Sequence, residues 1–253
     1  MTNLKTIFKT AALGIALTAA GAVQASPINV GGVVFDPDYN PFNIASDSMW
    51  ESVVSLPGDI LSGYGEVSSI AGTTASTFCP SGCELTYEFG GFLLDTVTPI
   101  PSIGGVKIDF TGGWLKFYVD NSADFNIAAP VKADALDGNL WLDLSAHADS
   151  ITGFTLSGLI TGGTLGLGDE SGFGSGLFDA VDGAAFGNFD TNTRPDGSDM
   201  FFTSSFQPMG SSTTLKGSGE LTGDPIPEPA SIALLGLGLL GLGVTAMRRR
   251  KSA

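Results

Sequence analysis

The chain has 253 residues and a formal net charge of −15, and its 43% hydrophobic content excludes wholesale disorder. Between Ser26 and Pro227, 25 acidic residues stand against five cations (Lys107, Lys116, Lys132, Arg194 and Lys216), a balance of 5 − 25 = −20. That surface excludes nucleic acid and anionic lipid as partners, and it is compatible with divalent cations and neutral sugars.

Residues 1–25 have the three parts of a signal peptide. Lys5 and Lys9 form a basic start, 11–22 an apolar stretch too short to span a bilayer well, and Val23-Gln24-Ala25 a small-residue cleavage site. Cleavage between Ala25 and Ser26 would start the mature chain at Ser26.

The exported segment, 26–223, reads as one β-rich domain. Strand chemistry occurs at 28–35, 64–71, 84–94, 106–110, 114–120, 140–146, 151–160, 200–207 and 213–221. Leu115, Phe117 and Val119 alternate with Lys116, Tyr118 and Asp120, the period of a half-buried strand. Leu140, Leu142 and Leu144 are expected on one face, opposite Trp141 and Asp143. Glycine and Asp/Asn clusters separate the segments, and Asp137-Gly138 reads as a hairpin turn. Helix is expected only at 47–54, where Ser48-Met49-Trp50-Glu51 fits a capping box, and weakly at 177–182. The Gly-rich stretch 162–176 fits either a loop or closely packed strands. The expected fold class is all-β, an antiparallel β-sandwich or jelly-roll-like domain.

Cys79 and Cys83 are the only cysteines, and in an oxidising compartment they are expected to form a local disulfide that pins a turn. The sole histidine, His147, stands near Asp143 and Asp149 without a nucleophile elbow, and reads as an exposed residue at a strand end. Oxygen ligands are densest at Asp190, Asn192, Asp196 and Asp199, around a Pro-Gly turn, and Ca²⁺ is the ion this chemistry suits. Arg194 sits where a calcium loop would place an acid, and turns favour Asp and Asn for their own reasons. No other cofactor is expected. The aromatics Trp50, Trp114, Trp141, Tyr39, Tyr64, Tyr87 and Tyr118 could build a sugar-stacking platform, but aromatic residues in strands are more often core.

Residues 224–253 organise the rest. Pro227, Glu228 and Pro229 precede 18 uncharged residues, 230–247, which as a helix would be about 27 Å long and would just span a bilayer. Arg248, Arg249, Arg250 and Lys251 then form a basic stop that keeps the C-terminus cytoplasmic. In order and in kind these three parts resemble the PEP-CTERM sorting signal of proteins exported by Gram-negative bacteria. The resemblance implies processing near Pro-Glu-Pro by a membrane protease, the exosortase, after a transient stay in the inner membrane. It further implies a destination at the cell surface or in an extracellular, polysaccharide-containing matrix. The expected function is therefore a non-enzymatic surface or matrix protein associated with exopolysaccharide. The alternative is a secreted carbohydrate-active hydrolase using a carboxylate pair, although no catalytic residues stand out.

Overall fold

The computed structural model describes residues 26–210 and 213–226. The signal-peptide reading at 1–25, including Ala25, lies outside the described residues, as do Pro227, Glu228, Pro229, the span 230–247 and the basic stop at Arg248, Arg249, Arg250 and Lys251. Among the described residues no helix is long and apolar enough to cross a membrane.

The strands in chain order are β1 (Ile28–Val30), β2 (Val33–Phe35), β3 (Phe42–Ser52), β4 (Ile60–Glu66), β5 (Ser69–Ile70), β6 (Thr73–Thr74) and β7 (Glu84–Ile100). They continue as β8 (Gly105–Thr111), β9 (Trp114–Asp120), β10 (Asn139–His147), β11 (Leu156–Gly162), β12 (Ser171–Asp182), β13 (Met200–Pro208) and β14 (Thr214–Gly223). Every pairing is antiparallel. The main sheet runs β10-β9-β7-β8-β11-β12-β13-β14-β3, with β4 joining β3 to β7 and β10 joining back to β12. The sheet thereby closes on itself as a sandwich-like β-domain.

Two long strands make the closure possible. The first half of β7 pairs with β9 and its second half with β8. Likewise β12 pairs first with β11 and then with β10. The antiparallel pairs β9–β10 and β8–β11 therefore complete the wall at different heights. No long open edge remains along this path, which removes the usual site of edge-to-edge association.

The alternation in β9 places Leu115, Phe117 and Val119 inside, as expected. Several other expectations need correction. The segment 47–54 is not a helix: 47–52 is the second half of β3, hydrogen-bonded to β14 and β4, and Val53 and Val54 follow the strand. The capping-box match at Ser48–Glu51 is incidental: these residues are all buried because both faces of the strand are covered there. Inside lies the main core; outside, Trp50 packs with Tyr64, Phe125, Ala135 and Leu136. The segment 177–182 is likewise strand, the second half of β12. Residues 149–155 form a turn, with Asp149 Oδ1 accepting the amides of Ile151 and Thr152, so β11 starts only at Leu156.

Asp137-Gly138 does not close a hairpin. β9 and β10 are neighbours, but residues 121–138 connect them as a loop that crosses the outer face of β7. Trp141 is not opposite the leucine row either. A bulge between Leu140 and Leu142 turns it inward, and it is fully buried beside Leu142 and Leu144. The Gly-rich stretch resolves into a loop followed by strand. A Cβ on Gly172 would stand 2.8 Å from the Phe206 ring, so glycine there lets a neighbouring ring lie across the backbone.

One end of the interior is closed by an aromatic plug. Phe35 lies 5.6 Å from Phe42, 5.7 Å from Phe189 and 6.0 Å from Trp141, ring centre to ring centre. Trp141 Nε1 donates to the Val30 carbonyl at 3.0 Å, tying the β1–β2 hairpin to the wall. The Cys79–Cys83 disulfide, with Cα atoms 5.0 Å apart, stands just before β7. Trp141→Ala should cost about 3–5 kcal/mol of unfolding free energy in denaturant titration. Trp141→Phe should cost less, through the lost hydrogen bond. A loss below about 1 kcal/mol for the alanine variant would mean the plug does not hold this end.

Candidate functional site

The acidic turn uses its oxygens on itself. Asp199 is buried; its Oδ1 accepts the amides of Thr191 (2.7 Å) and Asn192 (2.5 Å), and its Oδ2 accepts that of Ala180 (2.8 Å). Asp196 Oδ1 accepts the amide and hydroxyl of Ser198, which hold its carboxyl below the usual range, the hydroxyl contributing most. Asp190 Oδ1 accepts from the Asn192 side chain at 3.1 Å. The four residues therefore brace a turn against β12 and do not converge on a common point. His147, at the end of β10, pairs across the strand with Asp179 at 2.8 Å. That bond, unforeseen from sequence, raises the imidazole's pKa.

The aromatic residues divide as strand residues usually do. Trp50, Trp141 and Tyr87 are core, Trp114, Tyr64 and Tyr118 are half-buried, and Tyr39 is exposed. The exposed ring that sequence reasoning missed is Phe173, on β12. It opens onto a surface groove of about 500 Å³ lined by Asp47, Ser171, Ser205, Gln207, Lys216 and Ser218 among others. Ser205 and Ser218 face each other across β13 and β14 with their hydroxyls 2.9 Å apart. A ring flanked by hydroxyl, amide and charged groups on an open sheet face is able to stack on a sugar and bond its hydroxyls.

Two buried carboxylates meet inside the domain. Glu51 and Glu170 line one interior cavity of about 50 Å³, room for a water or two. Glu170 Oε1 accepts the amides of Gly166 and Leu167. Burial first, and the charge of Glu170 second, push the Glu51 carboxyl up to about 8.

A second set of acids converges at the surface end of β7. One carboxylate oxygen each from Glu84, Asp120, Asp124 and Asp137 lies within 4.8 Å of the others. No spacing pattern in the sequence points to this set, because it is assembled by strand register and by the crossing loop.

The last strand leads straight to the tail. Beyond β14, Pro225 is buried, Thr193 Oγ1 donates to Asp224 at 3.2 Å, and the Ile226 amide donates to the Asn188 carbonyl at 2.8 Å. The domain's packing thus continues to the residue before Pro227, with no free linker in between. The features so far define a closed, acidic β-domain whose C-terminal strand runs directly into a sorting segment. The family model for the PEP-CTERM protein-sorting motif matches residues 225–251, so the chain carries this sorting motif at its C-terminal end. The motif marks it as exported and handled by exosortase-type sorting at the membrane. No curated protein matches the chain.

The Glu51 carboxyl makes stability depend on pH. Its folded pKa, about 8, lies above its ordinary value of 4.5, so the folded state keeps a proton that the unfolded state releases. Stability should fall as pH rises from 4.5 to 8 and level off above that, a loss on the order of a few kcal/mol. Glu51→Gln should remove this penalty, raising the melting temperature by roughly 5 °C near pH 8 and far less near pH 5. Thermal melts with chelator present test this, and parallel pH profiles for the two proteins would refute it.

Proposed function

We propose that the protein is a non-enzymatic component of the cell surface or extracellular matrix, with neutral exopolysaccharide as its partner. The observation that carries this reading is the sorting motif at 225–251, joined without a linker to a closed β-domain. In this reading a Sec-type signal at 1–25 directs export and is removed after Ala25. The span 230–247 then holds the precursor in the inner membrane, and an exosortase-like protease releases it near Pro227, Glu228 and Pro229. In this reading the protease would take the segment in extended form, since Pro225, Pro227 and Pro229 cannot sit inside a helix.

Two further features support the polysaccharide partner. The −20 balance of the exported part disfavours polyanions and leaves neutral sugars acceptable. The Phe173 groove offers an exposed ring and hydrogen-bonding groups on one sheet face. The hydrolase alternative has less behind it. The buried carboxylate pair, Glu51 and Glu170, lines a cavity too small for a sugar ring.

Intact-mass measurement of the extracellular protein should find neither residues 1–25 nor the basic stop at Arg248, Arg249, Arg250 and Lys251. Replacing Pro227, Glu228 and Pro229 together by Ala should leave the chain in the membrane fraction. An extracellular species that retains the basic stop would sink the sorting pathway. For the partner, Phe173→Ala combined with Gln207→Ala should reduce co-sedimentation with the producing cell's neutral exopolysaccharide by about tenfold, the value of a lost stacked ring and its hydrogen bonds. Unchanged co-sedimentation would remove the groove from the proposal.

A further inference from the structure

The acids at the start of β7 are brought together by specific pairings. Glu84, the first residue of β7, is the direct cross-strand partner of Asp120, the last residue of β9. Like charges directly opposite one another destabilise a ladder. The β9–β10 ladder begins with Asn139 opposite Val119, which sets Asp137, two residues earlier, beside Asp120. A Cβ on Gly138 would stand 2.7 Å from the Val119 carbonyl, so a glycine there permits this close return of the loop. Asp124 arrives from the other arm of the same loop, and the next residue, Phe125, is buried against Trp50 and Tyr64.

The buried member of the set is incompletely partnered. Glu84 is only 3% exposed. Its Oε2 accepts the Phe125 amide at 3.1 Å; burial pushes the carboxyl up to about 7, against the smaller opposing pull of the Phe125 and Asp124 amides. Its Oε1 is buried and has no hydrogen-bond partner among the described residues. A buried carboxylate oxygen without a partner costs free energy unless something positive or protic reaches it. Among the described residues no side-chain cation does. Lys107, Lys116, Lys132 and Arg194 pair with Asp109, Asp143, Glu88 and Asp196, and Lys216 lies over the Trp50 ring.

We propose that Glu84, Asp120, Asp124 and Asp137 bind one Ca²⁺ ion, which fastens the loop 121–138 to the start of β7. The dimensions fit. Calcium takes oxygen ligands at about 2.3–2.6 Å, so two oxygens on opposite sides of one ion stand up to about 5 Å apart. The four oxygens here lie within 4.8 Å of one another. Magnesium retains several waters and is usually held by one or two carboxylates, so a set of four carboxylates suits calcium better. The loop is already anchored farther along by Thr86 Oγ1 donating to the Ala135 carbonyl (2.8 Å) and by Lys132 on Glu88 (3.1 Å). The ion would secure its two ends, where the acids repel one another. The residues concerned are not those of the Asp190–Asp199 turn, whose oxygens are committed to its own amides and hydroxyls.

The test is calorimetric titration of the full-length chain in detergent, stripped with chelator, with CaCl₂ near neutral pH and physiological salt. One saturable site is expected, with a dissociation constant of about 10⁻⁵–10⁻³ M and weaker binding of Mg²⁺. Asp124 and Asp137 are exposed, so Asp124→Asn with Asp137→Asn should fold normally and weaken binding at least about tenfold. Glu84→Gln should do the same, and its melting temperature without calcium should equal or exceed that of the parent. Asp190→Asn with Asp196→Asn should leave binding unchanged. The calcium-induced rise in melting temperature beyond that given by NaCl of equal ionic strength should disappear with the site. Absence of saturable binding, or binding that survives in both the Asp124/Asp137 and Glu84 variants, would overturn the proposal. So would its loss in the Asp190/Asp196 variant alone.

Discussion

A strand of 17 residues, β7, pairs with three others, and the closed sheet depends on it. β4 lies along one side, β9 takes the first half of the other side and β8 the second. A shorter strand could serve only one of the last two, and the wall would open into an edge. β12 plays the same part across the domain, handing over from β11 to β10. The interior that results is filled by Phe, Leu and Met side chains and is sealed at one end by Phe35, Phe42, Trp141 and Phe189.

Charge is the second constraint. With 25 acids to five cations in the exported part, most carboxylates have no cation to pair with. The domain handles them in three ways. Some accept backbone amides, as Asp199 and Asp149 do. Glu51 is buried where desolvation favours the protonated form. Others are left crowded together at the surface, as at Asp120, Asp124 and Asp137. An exported domain has a use for such crowding that an intracellular one does not, since weak calcium sites are filled in millimolar extracellular calcium.

The junction between domain and tail bears on sorting. Because Asp224 and Ile226 are hydrogen-bonded to Thr193 and Asn188, the folded domain stands immediately before Pro227. A protease acting on Pro-Glu-Pro therefore works at the foot of a folded body. Local release of Ile226 from Asn188 would lengthen the accessible segment at small cost, since such surface hydrogen bonds are each worth about 1 kcal/mol.

The tail and the strand alternation were legible in the sequence because hydropathy, charge order and the two-residue period of a strand are one-dimensional properties. The sorting motif at 225–251 and the β9 pattern need no knowledge of neighbours to be read. The disulfide between Cys79 and Cys83 was legible for the same reason, being local. What only the tertiary structure decided depends on what covers each face. Residues 47–54 read as helix because Ser48-Met49-Trp50-Glu51 fits a capping box, whereas Trp50 belongs to a strand whose outer face is buried by the distant loop 121–138. Trp141 turned inward through a bulge that composition cannot announce. The acids of the Asp190–Asp199 turn are close in sequence yet accept hydrogen bonds from neighbouring amides and hydroxyls. Glu84, Asp120, Asp124 and Asp137 are distant in sequence yet share one point in space. Register and loop crossing set those distances, and both are properties of the closed sheet as a whole.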